Sequence, residues 1–438
     1  MVLLKNFANI FKIPELTKKI GFTLGVLVIF QIGRMIPAVG VNVAMLSQWL
    51  AQASAFKGFL SYFDTFSGGS MTQSTIFALG VGPYITASIM MQMLSMTVPS
   101  LEAMMKEGDY GRRQINQYTR YVALLLSVGY SFSMAMVLMH QNATAMPGLI
   151  ISPGWGFVTL FVLSLTAGSM LVMWLGEQIS LFGIGNGSSM LIFAGIVATF
   201  PSMIAMLLTI NPIKAVITLT LFILISGLIV FLEKGERKIP VQYARRIIGQ
   251  RVYGGQSTYI PFKINTAGVM PVIFAGSLLN IPTFFLGMLA GWFPSLSIIT
   301  GALNSQGFLY LALEFALIIF FTFFYTAIAF NPTELADNIK KSGGFIPGIR
   351  PGKQTADYFD FILTRIGLVG AIYLGMLAIA PTILLNWILQ VPFGLSGTSL
   401  LIMVGVALET SAQIESYLIE YKYGSFLSSG RIKSRIAR

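Results

Sequence analysis

Ten stretches of roughly twenty mostly apolar residues limit what this chain can fold into more than any other feature. They cover 20–40, 71–98, 121–139, 154–176, 184–208, 213–232, 264–290, 308–330, 361–389 and 395–418. A helix of about 20 residues crosses the hydrocarbon core of a bilayer. No water is available there, so each span must satisfy its own backbone hydrogen bonds, as an α-helix does. Charged residues make up only 10% of the chain and hydrophobic ones 55%, against about 25% charged in soluble domains. The expectation is an all-α membrane protein with ten transmembrane helices. The chain has no cysteine and one histidine, His140, which excludes disulfides, thiolate metal sites and multi-histidine sites. No metal and no cofactor are expected.

The basic residues give the spans a direction. Of the 28 Lys and Arg, all but Arg34, Lys57 and Lys214 fall on one side: the first 19 residues, 96–120, 233–263, 331–365 and 419–438. The positive-inside rule makes that side, with both termini, cytoplasmic. Residues 1–19 read as an amphipathic arm on the membrane surface, with Leu4, Phe7, Ile10 and Phe11 at helical spacing beside Lys5 and Lys12. They do not read as a secretory signal, because no small-residue cleavage site follows the apolar run after them. The net charge of +12 points to an anionic partner: lipid headgroups, RNA or an acidic protein face.

Two of the basic loops are long, 233–263 and 331–360. The second contains KKSGGFIPGIRPGKQ, with four glycines, two prolines, four basic residues and no acid. It is expected to hold neither a helix interior nor a buried strand. Positive charge alone would fix topology with fewer cations, so a loop ordered by glycine and proline is expected to dock a partner.

The order of loops carries a second pattern. Spans 1–5 and 6–10 each open with one helix followed by a long loop, 41–70 or 233–263, on opposite sides of the membrane. That is the signature of two inverted, pseudo-symmetric halves. The halves would be 20–208 and 214–418, joined by a hinge at 209–213 and followed by a basic tail, 419–438. Ionisable groups in the spans are few. Glu177 falls at a cytoplasmic helix end, Glu314 and Arg34 toward outer ends, and Glu409 toward the cytoplasmic end of its span. No string of acids and histidines exists for a proton relay.

Aliphatic residues beside glycine or proline recur at mid-span in ALGVGPYITAS, GNGSSMLIFAG, GVMPVIFAG and LLIMVGVAL. They fit either ordinary helix packing or a dry constriction that excludes water. The segment FKGFLSYFDTFSGGS (56–70) is too short to span. It fits a re-entrant half-helix on a glycine hinge, or an amphipathic helix on the outer surface. A secondary transporter of a small solute would share the inverted halves, but it requires a polar midplane site.

Three motifs mislead. GIGNG (183–187) has glycine-loop spacing but no preceding strand and no following Gly-Lys-Ser. Asn142-Ala143-Thr144 is a bare glycosylation sequon, and Asn331-Pro332-Thr333 is excluded as one by its proline. No Ser/His/Asp or Glu/His constellation is available, so the chain is not expected to be an enzyme.

The stretches KEGDYGRRQINQYTRY (106–121), EKGERKIPVQYARR (233–246), VYGGQSTYIPFKINTAGVMPVIFA (252–275) and FNPTELADNIKKSGGFIPGIRPGKQTADYFDFILTR (330–365) resemble the bacterial SecY family, channel subunits of the Sec protein translocase. The resemblance implies a ten-helix channel in the bacterial cytoplasmic (inner) membrane, hinged between helices 5 and 6. A lateral gate would lie between helices 2 and 7, flanked by 3 and 8. By motif matching, a pore ring falls on Val81, Ile85, Ile192, Ile273 and Ile402, and a plug on about 57–70, including Phe63, Phe66, Gly68 and Gly69.

Partner docking falls on Arg350, Lys340, Lys341 and Lys353 in one loop and on Arg245, Arg246 and Arg251 in the other. The implied partners are the SecE and SecG membrane subunits, the SecA motor ATPase, the ribosome, signal sequences, unfolded polypeptides and anionic lipids. The chain departs from the family pattern at Gly82, Ser188 and Ala407, where bulkier or aliphatic residues are usual, and at Gln250, where arginine is frequent.

Overall fold

The computed structural model describes residues 13–46, 67–144, 147–210, 212–243, 246–248, 251–253, 257–290, 307–388 and 396–428. The chain runs through α1 (Pro14–Gly33), α2 (Gly82–Thr97), α3 (Pro99–Lys106), α4 (Asp109–Thr144), α5 (Trp155–Phe182), α6 (Gly187–Ile210) and α7 (Pro212–Lys234). Strands β1 (Glu236–Tyr243), β2 (Arg246–Ile248), β3 (Arg251–Tyr253) and β4 (Ser257–Lys263) follow. Then come α8 (Met270–Ala290), α9 (Phe308–Ala329), α10 (Pro332–Lys341), β5 (Gly344–Phe345), α11 (Lys353–Thr382) with a π-helical continuation (Ile383–Ile388), and α12 (Gly397–Ser428). Proline stands in the first turn of α1, α2, α3 and α10, where its fixed φ suits a helix start and its missing N–H costs nothing.

Among the described residues, eight helices are long and apolar enough to cross a bilayer: α1, α4, α5, α6, α7, α9, α11 and α12. The chain is a multi-pass membrane protein. The predicted spans 71–98 and 264–290, the second of each proposed half, correspond to α2 and α8. Their helices start late, at Gly82 and Met270. Before them the backbone turns through left-handed glycines, Gly68, Gly69 and Gly80 in one case and Gly268 in the other, a conformation that costs glycine little and ends regular helix. Other boundaries move outward. α4 starts at Asp109 rather than 121, α11 at Lys353 rather than 361, and α12 continues to Ser428, into the stretch expected to be tail. Those extensions are polar, so an apolarity criterion stops short of them. The expected hinge at 209–213 falls where α6 ends at Ile210 and α7 begins at Pro212; residue 211 lies outside the described residues.

The chain forms two compact units, one of 1–203, 280–301 and 406–438, the other of 204–279 and 302–405. In the first, Met71, Leu79, Tyr130, Leu138, Phe157 and Phe161 share a buried core. Arg120 on α4 pairs with Glu177 on α5 at 2.7 Å. In the second, α9 packs along α11, where Gly375 leaves no room for a Cβ beside the ring of Phe315. All spanning elements are helical, as expected. The strands among the described residues lie in the basic loops, which the sequence reading left without regular structure.

Candidate functional site

The two long basic loops fold together. β1 pairs antiparallel with β4, with Ile239 opposite Ile260 and Val241 opposite Thr258. Along β1, Ile239 and Val241 are buried and their neighbours are exposed, the period-two signal of a one-sided strand. β5 comes from the other loop and adds to the free edge of β1, with Gln242 opposite Phe345 and Tyr243 opposite Gly344. The order is therefore β4-β1-β5. The expectation of no buried strand in KKSGGFIPGIRPGKQ is overturned at Gly344, which is buried in β5. A Cβ there would lie 3.1 Å from Ile339, Tyr243 and Val241, so glycine lets this edge close. Beneath the sheet, Ile239, Val241, Phe262, Ile339, Ile346 and Phe359 form a core, with the rings of Phe262 and Phe359 5.5 Å apart.

Local hydrogen bonds fix what stands on this platform. The Asn331 side chain caps α10 by accepting from the Thr333 and Glu334 amides, a contribution of about 1 kcal/mol. The Thr355 hydroxyl donates to the Arg350 carbonyl at 2.9 Å. Gly343, Gly348 and Gly352 take positive φ at the turns. The outcome is an ordered base from which Lys340, Lys341, Arg350 and Lys353 project, all exposed. Among the described residues none of the four is in an ion pair. Arg246 and Arg251 fall on the β2–β3 hairpin. Arg245 lies outside the described residues, as does Gln250. From the sequence Asn331 stands out only in an excluded sequon, and Thr355 is not singled out. The Asn-Pro pair ahead of an amphipathic run was the signal for the cap, whereas a hydroxyl reaching five residues back along the chain has no sequence mark.

All five ring candidates are buried: Val81, Ile85, Ile192, Ile273 and Ile402. Each sits at or just inside the start of its helix: Val81 at the cap of α2, Ile85 in its first turn, and the others in the first two turns of α6, α8 and α12. Val81, Ile85 and Ile192 belong to the first unit, Ile273 and Ile402 to the second. Two of the departures have local explanations. The Ser188 hydroxyl donates to Asn186 at 2.7 Å, within the capping turn of α6. Ala407 is exposed.

Of the plug candidates, Phe63 and Phe66 lie outside the described residues. Gly68 and Gly69 open a turn that leads to α2, with φ +66° and +90°. A Cβ on Gly68 would lie 2.5 Å from the Gly195 carbonyl oxygen, so the turn sits directly on the backbone of α6.

The misleading motifs have structural roles. In GIGNG the Ile184 amide donates to Thr23, the Gly185 amide to Gln413 and the Gly187 amide to Ser180. The protein itself thus consumes the donors a phosphate would need. Asn142 accepts from the amides of Gly148 and Ile150 with its side-chain carbonyl, so the sequon residue ties down its own loop. Among the described residues, no three His, Cys, Asp or Glu cluster as metal ligands.

Comparison with known proteins places this geometry. The SecY family model matches residues 75–411. A protein translocase subunit SecY from Streptomyces coelicolor is 45% identical over 440 residues, covering 97% of this chain and 100% of the relative. The subunit of the same name from Escherichia coli K12 is 43% identical, covering 96% of this chain and 95% of the relative. A solved protein-conducting channel superposes with a TM-score of 0.64 at 19% identity, covering 91% of this chain and 92% of that one.

Proposed function

The chain belongs to the SecY family, and on that premise we propose that it is the channel subunit of a protein translocase in the bacterial inner membrane, with both termini cytoplasmic. It passes unfolded secretory polypeptides across the membrane and releases membrane helices sideways into lipid. The observation that carries this reading is the platform. A sheet built from two separate basic loops holds Arg350 and three lysines exposed and, among the described residues, without ion pairs on an ordered base. A guanidinium presented in this way is a preorganised donor for carboxylates or backbone carbonyls on a docking partner. The partners are SecA or the ribosome at the platform, SecE and SecG in the membrane, and anionic lipid around the basic face.

The seal follows from side-chain chemistry. A conduit for any sequence cannot hold fixed hydrogen-bonding partners in its constriction, because each passing residue would meet different demands. Aliphatic groups such as Ile85, Ile192, Ile273 and Ile402 have no directional requirement, and an apolar constriction expels water when empty. The work of moving the polypeptide comes from the partner, so this subunit is a conduit and not an enzyme. A small-solute transporter would need a polar site at the midplane, and no observation favours one.

The test is reconstitution with SecE, SecG, SecA and ATP in vesicles. An unfolded precursor should become protease-protected in the lumen, and omission of SecA should abolish protection. Uptake of a small solute by the purified chain, with no precursor protection under any condition, would overturn the reading.

A further inference from the structure

The turn that joins the proposed plug to α2 makes backbone bonds of its own, from the Ser74 amide to the Met71 carbonyl and from the Thr75 amide to the Ser70 carbonyl, but it also holds strained and unsatisfied groups. Three of its members take left-handed φ: Gly68, Gly69 and Ser74, the last at +47° and the one non-glycine with positive φ among the described residues. The hydroxyls of Ser67 and Ser74 are buried without a hydrogen-bond partner, which disfavours the conformation. Its downstream half is nonetheless fixed by backbone contacts. The Ala38 amide donates to the Ser74 carbonyl at 2.7 Å and the Ile76 amide to the Ile36 carbonyl at 3.0 Å. The ring of Phe77 stacks on Phe30 at 5.9 Å.

The upstream half is held differently. Arg34, at the C-terminal cap of α1, donates through Nε to the Ser70 hydroxyl at 3.0 Å and through Nη1 to the Gln31 carbonyl oxygen at 2.6 Å. Gln31 in turn donates to the Ala194 carbonyl on α6 at 3.0 Å. Ser70, nearly fully buried, passes its own proton to the Ser67 carbonyl at 2.7 Å. One guanidinium fork therefore ties α1, the turn and, through Gln31, α6. Where the turn meets α6 at Gly68 and Gly195, backbone faces backbone.

We propose that Arg34 is the positioning residue that clamps the 67–70 turn in the resting channel, and that the seal depends on this clamp more than on the turn's own stability. The proposal rests on the channel reading above. Hydrogen bonds from a cation to the Ser70 and Gln31 side-chain oxygens are stronger than those between neutral groups. Residues 74–77 would stay anchored as the pivot while 67–70 lifts from α6.

The experiment is ion conductance of the full-length chain, purified with its membrane subunits and reconstituted in planar bilayers, with and without a precursor and motor. Arg34→Ala should raise the resting leak roughly tenfold, the factor that corresponds to losing about 1.4 kcal/mol, with an unchanged melting temperature. Ser70→Ala, which removes the acceptor for Arg34 together with the bond to the Ser67 carbonyl and leaves the guanidinium its bond to Gln31, should move the leak in the same direction by less. Arg34→Lys, which keeps a cationic donor without the fork, should restore part of the seal. A wild-type resting leak in Arg34→Ala, with precursor still opening both channels, would overturn the clamp and leave the channel reading standing. If wild type never conducts on engaging a precursor, the channel reading falls and the clamp with it. Should Arg34→Ala fail to accumulate, Ser70→Ala decides: a raised leak supports the clamp and an unchanged leak overturns it.

Discussion

Two glycine-rich segments of this molecule, 343–352 and 67–80, use the same residue to opposite ends. In 343–352 the left-handed glycines connect elements that are otherwise satisfied. α10 is capped by Asn331, Thr355 holds the Arg350 carbonyl, and Ile346 enters the platform core. In 67–80 the glycines accompany a left-handed serine and two buried hydroxyls without partners. Glycine by itself therefore says little about motion. What decides is whether the polar groups around it are satisfied, and the contrast separates a surface built to present charge from a turn held in place from outside.

The largest effect is expected where the rigid member is struck. Arg350→Glu reverses the charge at the tip of an intact platform and should cut motor-driven translocation by roughly two orders of magnitude, the scale of losing a well-placed charged contact. Melting temperature should stay at the wild-type value, because Arg350 is exposed and its side chain supports nothing else among the described residues. Translocation at the wild-type rate would break the comparison at its platform end.

Gly68→Val comes next. Its Cβ would overlap the Gly195 backbone, and the φ of +66° costs a side-chain-bearing residue about 1–2 kcal/mol. The turn should lift and the resting ion conductance should rise about tenfold. Replacing Ile85 and Ile273 together with asparagine should raise the resting conductance several-fold by letting water into an apolar constriction. Unchanged single-channel traces would remove both residues from the ring. The smallest effect is expected of Ser74→Gly. It relieves a left-handed serine and a buried orphan hydroxyl, stabilising the turn by about 1 kcal/mol, and should lower the frequency of spontaneous openings.

Apolar run length located every spanning helix, because a bilayer imposes one length scale on all of them. It could not see that α2 and α8 begin only at Gly82 and Met270, since run length carries no signal for the left-handed φ of Gly80 and Gly268 just before them. The platform was legible as chemistry and not as structure. Lys340, Lys341, Arg350 and Lys353 announced a docking surface, but pairing β5 with β1 joins residues about a hundred apart, and no local pattern encodes such a register. Arg34 was read as one of the few ionisable residues in a span. Its bond to Ser70 exists only because the chain returns, 36 residues later, to the end of α1.

The central proposal is that each of the buried aliphatic residues at these helix starts meets a passing polypeptide. A photo-crosslinking residue placed at Ile85, Ile192, Ile273 or Ile402, with a precursor stalled midway across the membrane, tests this directly. Ile223, exposed on α7, serves as the reference position. The account predicts adducts to the stalled precursor from all four sites and none from Ile223. Equal labelling from Ile223, or no labelling from any of the four while the precursor is protease-protected, would contradict it.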